Sequence, residues 1–204
     1  MDIEKYIGYY EHVWDSDLYC DGIRETNYDY QPSSYSDHVG KVKADKRVRM
    51  DEVWVRFGDK GYDDIKKAVE YTCRLYSEEH PRFSVQRMTD HRINRYSEGG
   101  FMSKHCDNIH HSHGQQYGFP QATVLLYLND DYEGGEFYVA DKKFEPKRAS
   151  ALIFPSNFMF PHEAKVVTKG TRWSIVTWLM ETEECYFQHR YTHSNQVWKT
   201  NTKK

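Results

Sequence analysis

Short apolar segments separated by turn residues run from residue 84 to residue 179, and this pattern constrains the fold more than any other feature. Segments of this length at hairpin-like spacing are typical of antiparallel strands, with glycine, asparagine, aspartate and proline concentrated between them. The segments lie at 85–88, 93–96, 122–128, 136–140, 149–154, 164–167 and 172–179. We therefore predict a mainly β (α+β) fold in which roughly six to eight strands form a double-stranded β-helix, or jelly roll, with an open end that can hold a ligand.

The N-terminal third is expected to form helices and a strand that support this β core. Ser16 and Asp17 are good N-caps for a short helix that ends near Thr26, and residues 53–57 alternate like a strand. In residues 62–79 the apolar side chains recur at helical spacing, which predicts an amphipathic helix packed against a sheet. These side chains are Ile65, Ala68, Val69, Thr72, Leu75 and Tyr76.

The domain organisation follows from the length and from the absence of a recognisable linker. A chain of 204 residues can bury one core but is too short for two ordinary domains. We expect a single domain over residues 1–204, with helices and strands of support in 1–83, the jelly-roll core in 84–182 and a C-terminal tail in 183–204.

Composition and charge exclude several classes of protein. The formal net charge is −3, from 28 basic and 31 acidic residues, which predicts no nucleic-acid partner. The basic run at 41–49 is better explained as a solvated edge. No stretch approaches the roughly 18 apolar residues of a membrane span, and the N-terminus lacks the apolar core of a signal peptide. We therefore expect a cytoplasmic protein with no membrane partner.

The four cysteines indicate a reduced setting. Cys20, Cys73, Cys106 and Cys185 are widely scattered, and no CxxC pair occurs. This spacing excludes zinc-ribbon and redox motifs, and it predicts no disulfides.

Three residues predict a metal site. His105 and Asp107 form a His-x-Asp pair, and His162 follows after the central strands. Two imidazoles and one carboxylate are the facial triad of Fe(II) oxygenases, which leaves coordination positions open. Strand alternation would place His105 and Asp107 on one face, with Cys106 pointing away. A tight hairpin could return Arg172, ten residues after His162, to bind a carboxylate beside the metal.

A second histidine cluster, His110, His111 and His113, is better explained as a polar loop near the site than as another metal centre, because consecutive residues on a loop do not share a face. We expect this loop, at 110–118, and the segment at 27–47 to gate the site and choose the substrate.

Four blocks of sequence, in order, resemble the prolyl 4-hydroxylase-like branch of the Fe(II)/2-oxoglutarate dioxygenases. They are RYSEGGFMSKHCD at 95–107, ATVLLYLNDDYEGGEF at 122–137, PKRASALIFPS at 146–156 and HEAKVVTKGTRWSIVTWL at 162–179. The resemblance implies a jelly-roll enzyme that uses Fe(2+), 2-oxoglutarate and O2, with L-ascorbate as a candidate reductant. It implies hydroxylation of an unactivated C–H bond, with a prolyl residue of a peptide or protein as the favoured acceptor and succinate and CO2 as co-products.

The resemblance also implies roles for individual residues. His105, Asp107 and His162 would be the iron ligands and catalytic residues. Arg172 and Tyr127 would bind the distal carboxylate of 2-oxoglutarate. Two further assignments are Tyr96, near the iron and co-substrate, and Trp173, facing the peptide substrate.

Three alternatives to the prolyl assignment stay open at this point. A hydroxylase of a free amino acid or small molecule would use the same triad. A nucleic-acid dealkylating oxygenase is disfavoured, because that branch carries a second arginine where this chain has Trp178. A non-enzymatic jelly-roll binding module would have no reason to keep both the triad and Arg172. Members acting on proline-rich cell-wall or collagen-type chains usually carry an arginine at the start of the strand that here begins Pro120-Gln121, and the absence of that basic residue weighs against a collagen-type acceptor.

Overall fold

The computed structural model describes residues 2–33, 35–36, 42–43, 47–85, 87–107 and 119–181. Within these residues a 3-10 turn at Ile3–Tyr6 and a π-helical turn at Ser16–Cys20 precede two α-helices, α1 (Asp21–Glu25) and α2 (Tyr62–Glu79). None of the helices in these ranges is both long and apolar enough to cross a bilayer. Cys20, Cys73 and Cys106 are free thiols, and Cys185 lies outside the described residues.

The strands are short, and most follow the turn signals of the sequence. In the N-terminal third they are β1 (Gly8–Tyr10), β2 (Gln31–Pro32), β3 (Tyr35–Ser36), β4 (Val42–Lys43), β5 (Val48–Arg49) and β6 (Asp51–Val55). Next come β7 (Arg87–Met88), β8 (His91–Tyr96), β9 (Phe101–His105), β10 (Phe119–Tyr127), β11 (Glu133–Gly134) and β12 (Phe137–Val139). The last are β13 (Lys142–Phe144), β14 (Ala151–Pro155), β15 (His162–Ala164), β16 (Val167–Lys169) and β17 (Arg172–Glu181).

Two antiparallel sheets build the core. The larger has the order β1-β14-β10-β17-β8-β6-β2, with β7 also paired to β17, and the smaller has the order β13-β12-β15-β9-β5. This arrangement confirms the predicted mainly β jelly roll. The N-terminal third supplies strands of the larger sheet as well as helices, since β1, β2 and β6 extend it at its two edges.

Helix α2 covers the outer face of the larger sheet, where it packs against β8, β10 and β14. Its bounds match the predicted range because the apolar stripe is continuous: all its predicted members are buried except Leu75, which is half-buried. Asp63 and Asp64 in its first turn face the positive end of the helix dipole. The predicted support of the sheet by N-terminal helices is thus confirmed.

Strand alternation separates two apolar clusters on the larger sheet. Ile175 and Leu179 of β17 join the cluster beneath α2, whereas Val176 and Trp178 join the cluster between the two sheets. Side chains of the second set face the interior of the jelly roll, and this interior carries the candidate site.

The predicted strand at 164–167 is wrong in its bounds. The chain forms two short strands there, β15 and β16, and β15 pairs with β9 and β12 while β16 pairs with β11. The predicted hairpin between this region and β17 does not form, because β17 lies in the other sheet between β8 and β10.

Candidate metal centre and anion pocket

Two neighbouring strands of the smaller sheet bring the histidines together. His105 ends β9 and His162 begins β15, and the two are partners across the antiparallel pair. Their ring centroids lie 4.2 Å apart. Cross-strand partners point to the same face of a sheet, so both imidazoles enter the interior of the jelly roll.

Asp107 reaches the same point by a different route from the one predicted. It lies in a bend two residues beyond the end of β9, so strand alternation does not place it. Its carboxylate is buried and lies between the histidines, with Oδ1 3.5 Å from His105 Nε2 and Oδ2 3.5 Å from His162 Nε2. One ligand atom from each of the three residues lies within 4.8 Å of the other two, a spacing that can hold a metal ion.

Backbone carbonyls fix the orientation of both imidazoles. Nδ1 of His105 lies 2.8 Å from the Ser103 carbonyl oxygen, and Nδ1 of His162 lies 3.2 Å from that of Phe160. A carbonyl can only accept, so each Nδ1 carries the proton and donates it. In the neutral tautomer each Nε2 therefore presents its lone pair to the site, as a metal ligand requires.

The electrostatics of the cluster favour a bound cation. Burial by itself raises the pKa of an aspartate, but attraction to the facing imidazoles in their charged form, His162 above all, holds the pKa of Asp107 well below its usual range, and a cation bound between neutral rings would act on the carboxylate in the same way. The carboxylate therefore stays charged. Two lone pairs and a buried carboxylate that converge on one point repel each other unless a cation lies between them, and the donor set fits Fe(II).

A pair of buried hydroxyls holds the Asp107 carboxylate from behind. Thr123 Oγ1 donates to Asp107 Oδ2 at 2.6 Å and lies 2.8 Å from Ser156 Oγ. The single hydroxyl hydrogen of Thr123 is used by the carboxylate, so Ser156 must donate to Thr123. Both residues are fully buried on β10 and just after β14.

Arg172 lies in an aromatic pocket in the same interior. It is 1 % exposed, and its guanidinium carbon lies 4.9 Å from the ring centroid of Tyr96, 5.3 Å from that of Tyr127 and 5.6 Å from that of Phe137. Gly135 makes room for this side chain, since a Cβ there would lie 3.2 Å from Arg172 Cδ on a backbone with φ of +64°.

No described residue places a carboxylate counter-charge beside the guanidinium. None of its three nitrogens makes a well-formed hydrogen bond to a described residue, and neither does the Tyr127 hydroxyl, although the hydroxyls of Tyr127, Tyr132 and Tyr96 lie close to the guanidinium. Burial raises the pKa of Tyr127 against the opposing effect of Arg172, so this hydroxyl stays protonated and can donate. A buried, unpaired cation costs several kcal/mol, so the pocket is built to receive an anion.

Arg172 and His162 face each other across the interior. The expected hairpin contact is wrong, because the two residues lie on opposite sheets. Phe137 lies between them: its ring centroid is 5.9 Å from the ring centroid of His162 and 5.6 Å from the guanidinium carbon of Arg172. An elongated anion can therefore reach from the cation between the histidines to the guanidinium.

The structure does not bring Trp173 to the site. It alternates with Arg172 along β17, so it lies on the outer face, where it packs against Tyr30 at 5.6 Å between ring centroids. The tryptophan of β17 that faces the interior is Trp178. Counting in steps of two from Arg172 would have identified it from the sequence, and we do not assign Trp173 to the site.

Two further interior residues were not predicted. Ser174, two residues after Arg172, and its cross-strand partner Asn94 are both buried. Ser174 Oγ and Asn94 Oδ1 have no hydrogen-bond partner among the described residues. Ser174 could have been identified because residues two apart on a strand face the same side, and Ser174 is two residues after Arg172. Asn94 follows in the same way, because it is two residues before Tyr96 on β8. The histidine cluster at 110–113 lies outside the described residues.

Comparison with known proteins supports this reading of the site. Residues 91–180 match the model of the 2OG-Fe(II) oxygenase superfamily. Human "Prolyl 3-hydroxylase 2" is 38% identical over 69 residues, which are 30% of this chain and 10% of that protein. The chain thus spans about a tenth of the length of this relative.

Two solved structures share the fold. A Pseudomonas putida prolyl-4-hydroxylase superposes with a TM-score of 0.65 at 18% identity, covering 86% of this chain and 92% of that one. A Trichoplax adhaerens prolyl hydroxylase, in complex with a peptide fragment of the hypoxia inducible factor oxygen degradation domain, gives a TM-score of 0.62 at 18% identity and covers 86% and 84%.

Proposed function

We propose that the chain, whose residues 91–180 match the model of the 2OG-Fe(II) oxygenase superfamily as its four sequence blocks predicted, is an Fe(II)- and 2-oxoglutarate-dependent dioxygenase of the prolyl hydroxylase type. The overall reaction converts 2-oxoglutarate, O2 and an acceptor C–H into succinate, CO2 and C–OH. The observation that carries this proposal is the pairing of a three-ligand cluster with one uncompensated guanidinium across a single interior.

The metal site would be formed by His105, Asp107 and His162. Bound Fe(II) would supply the activation of dioxygen coupled to oxidation of the 2-oxo acid. The residues would hold the ion through Nε2 of each histidine and one oxygen of Asp107. The Ser103 and Phe160 carbonyls keep both rings oriented.

The co-substrate would bind between the triad and Arg172. Its distal carboxylate would accept a two-pronged hydrogen bond from the Arg172 guanidinium and one from the Tyr127 hydroxyl, which satisfies donors that are otherwise buried without partners. Ser174 would donate to the same carboxylate. Tyr96, whose ring covers the guanidinium, would exclude water from that end of the pocket.

A prolyl residue of a peptide is the proposed acceptor. Support comes from the relatives, which are prolyl hydroxylases by name, and from the peptide bound to the Trichoplax protein. L-Ascorbate as reductant belongs to the same proposal. The expected cytoplasmic location and the gating role of residues 27–47 and 110–118 stay predictions.

The proposal is tested by anaerobic titration of Fe(II) and 2-oxoglutarate, followed by the visible charge-transfer band of a chelated 2-oxo acid. Wild type should give the band, Asp107→Ala should lose it, and Arg172→Gln should need far more 2-oxoglutarate to give it. Arg74→Gln makes the same change on the exposed face of α2 and should behave as wild type. A folded wild-type protein without the band would overturn the proposal.

A further inference from the structure

A second pocket lies where the chain passes twice between the two sheets. Met50 connects β5 of the smaller sheet with β6 of the larger one, and the turn at 97–100 connects β8 with β9. Both passages line a pocket of about 350 Å³, a volume within the range of small-molecule sites. We call it the crossover pocket.

The crossover pocket is separate from the metal centre. Gly100 lines the pocket and directly precedes β9, whereas His105 ends that strand. At about 3.3 Å per residue, the extended chain between them spans about 15 Å. Tyr96 faces the interior and covers the Arg172 guanidinium, so a ligand in the crossover pocket would contact neither the proposed iron nor the co-substrate.

Two of the four charged side chains in the lining neutralise each other. Arg95 donates to Asp51 Oδ2 from Nη2 at 2.9 Å and from Nε at 3.3 Å, and its guanidinium carbon lies 4.4 Å from the ring centroid of Tyr30. The carboxylate and the ring hold the guanidinium in place. This ion pair is therefore part of the wall of the pocket.

The other two charged side chains, Arg49 and Glu98, have no partner of opposite charge. Arg49 lies against Gly99, where a Cβ would be 3.0 Å from Nη1, and no described carboxylate forms an ion pair with it. Glu98 Oε1 accepts from the Gly170 backbone N–H at 3.3 Å, and no described basic side chain pairs with this carboxylate. The crossover pocket thus offers one cation and one anion.

These two charges match a ligand that carries both signs. A carboxylate can accept two hydrogen bonds from the Arg49 guanidinium, and an ammonium can donate to the Glu98 carboxylate. A simple anion would be attracted by Arg49 but repelled by Glu98, and a simple cation would meet the reverse. An α-amino acid carries both groups on one carbon. Val48 and Met50 also line the pocket and suit an apolar side chain.

We propose that the crossover pocket binds a free α-amino acid with an apolar side chain, with the carboxylate on Arg49 and the ammonium on Glu98. The pocket is distinct from the acceptor and co-substrate sites. This inference therefore goes beyond the proposed function and does not depend on it.

The test is calorimetric titration of the full chain, both without iron and as the anaerobic Fe(II)–2-oxoglutarate complex. L-Leucine carries both charges, N-acetyl-L-leucine lacks the ammonium and L-leucinamide lacks the carboxylate. We expect L-leucine to bind saturably and equally in both forms of the protein. Each analogue should bind at least about tenfold more weakly, because it loses one charge-assisted contact.

Two charge variants assign the contacts. Arg49→Gln should lose about tenfold in affinity for L-leucine and should no longer prefer it to L-leucinamide, because the carboxylate has lost its partner. Glu98→Gln should show a similar loss and should no longer prefer L-leucine to N-acetyl-L-leucine. Arg74→Gln and Glu78→Gln make the same changes on the exposed face of α2 and should behave as wild type.

Asp107→Ala separates the crossover pocket from the metal centre and should bind L-leucine as wild type does. The assignment is wrong if L-leucine shows no saturable binding or if either charge variant keeps the wild-type preferences. It is also wrong if Asp107→Ala abolishes binding, which would place the amino acid at the metal centre. A missing charge-transfer band would refute the proposed function and has no bearing on the crossover pocket.

Discussion

Thr123 offers a quantitative test of how the carboxylate of the metal site is held. The Thr123→Val variant removes the hydroxyl that donates to Asp107 Oδ2 at 2.6 Å and also leaves Ser156 without its acceptor. Thr123 is 1% exposed, so water does not readily replace the lost donor. The carboxylate then loses both a hydrogen bond and its fixed orientation.

The expected magnitude follows from the charge on the acceptor. A hydrogen bond to a charged group contributes about 1.5–3 kcal/mol, and about 1.4 kcal/mol corresponds to a tenfold change in an equilibrium constant. We therefore expect the Fe(II) dissociation constant of Thr123→Val to rise by about 10- to 100-fold, the range found for partners that orient metal ligands.

The assay is anaerobic Fe(II) titration at saturating 2-oxoglutarate, with the charge-transfer band as readout and a competing chelator to bring the affinity into range. Thr123→Ser keeps the hydroxyl and should stay within a few-fold of wild type, whereas Ser156→Ala should lie between wild type and Thr123→Val. If Thr123→Val binds Fe(II) as tightly as wild type, or if Thr123→Ser is impaired equally, the hydroxyl has no orienting role.

Three further outcomes can be measured directly. Burial, and secondarily Lys66, lowers the pKa of His91 to about 4 from an ordinary 6.5, so the folded state binds fewer protons than the unfolded state between these pH values. The corresponding stability, up to about 3 kcal/mol, is present above pH 6.5 and is lost as the pH falls toward 4. Urea unfolding at pH 7.5 and 5.0 should therefore show a smaller loss of stability for His91→Asn than for wild type. Ser174→Ala should raise the 2-oxoglutarate dissociation constant by about tenfold or less, the effect of one hydrogen bond of about 1 kcal/mol, while Fe(II) binding in the absence of 2-oxoglutarate, followed by calorimetry, stays unchanged. Ile65→Ala creates a cavity at a fully buried position on the inner face of α2 and should lower the free energy of unfolding by about 2–5 kcal/mol in urea titrations. A loss under 1 kcal/mol would show that α2 does not contribute to the main core.

Local periodicity made much of the fold predictable. The bounds of α2 follow from one unbroken apolar stripe, and β10 and β17 follow from long apolar runs between clear turn residues. The β core was likewise predictable as a jelly roll, because the density of short strands permits few other arrangements.

Non-local pairing was not predictable from the same signals. Spacing alone suggested that His162 and Arg172 meet through a hairpin, yet β15 pairs with β9, about sixty residues earlier in the chain, and β17 pairs with β8 and β10. The correct neighbourhood of the two side chains came from the family resemblance, since their local sequence cannot specify which sheet each strand joins. Asp107 lies in a bend, and its carboxylate accepts a hydrogen bond from Thr123, which contacts Ser156; no sequence period marks these contacts.

The error at Trp173 has a simpler cause. Neighbouring residues on a strand face opposite sides, so an interior Arg172 requires an exterior Trp173. The resemblance suggested one residue and the alternation another, and the structure agrees with the alternation. The same rule would have identified Ser174 and Trp178 from the sequence.

The uncompensated guanidinium of Arg172 also has a consequence for the lifetime of the protein. A ligand that binds only the folded chain stabilises it by RT ln(1 + [L]/Kd), which is about 2.7 kcal/mol when the ligand is a hundredfold above its dissociation constant. A folded chain with a buried, uncompensated charge has a lower free energy of unfolding, and binding of an anion to that charge restores it. Under the proposed function, binding of 2-oxoglutarate would therefore raise the free energy of unfolding of this protein, in addition to supporting turnover.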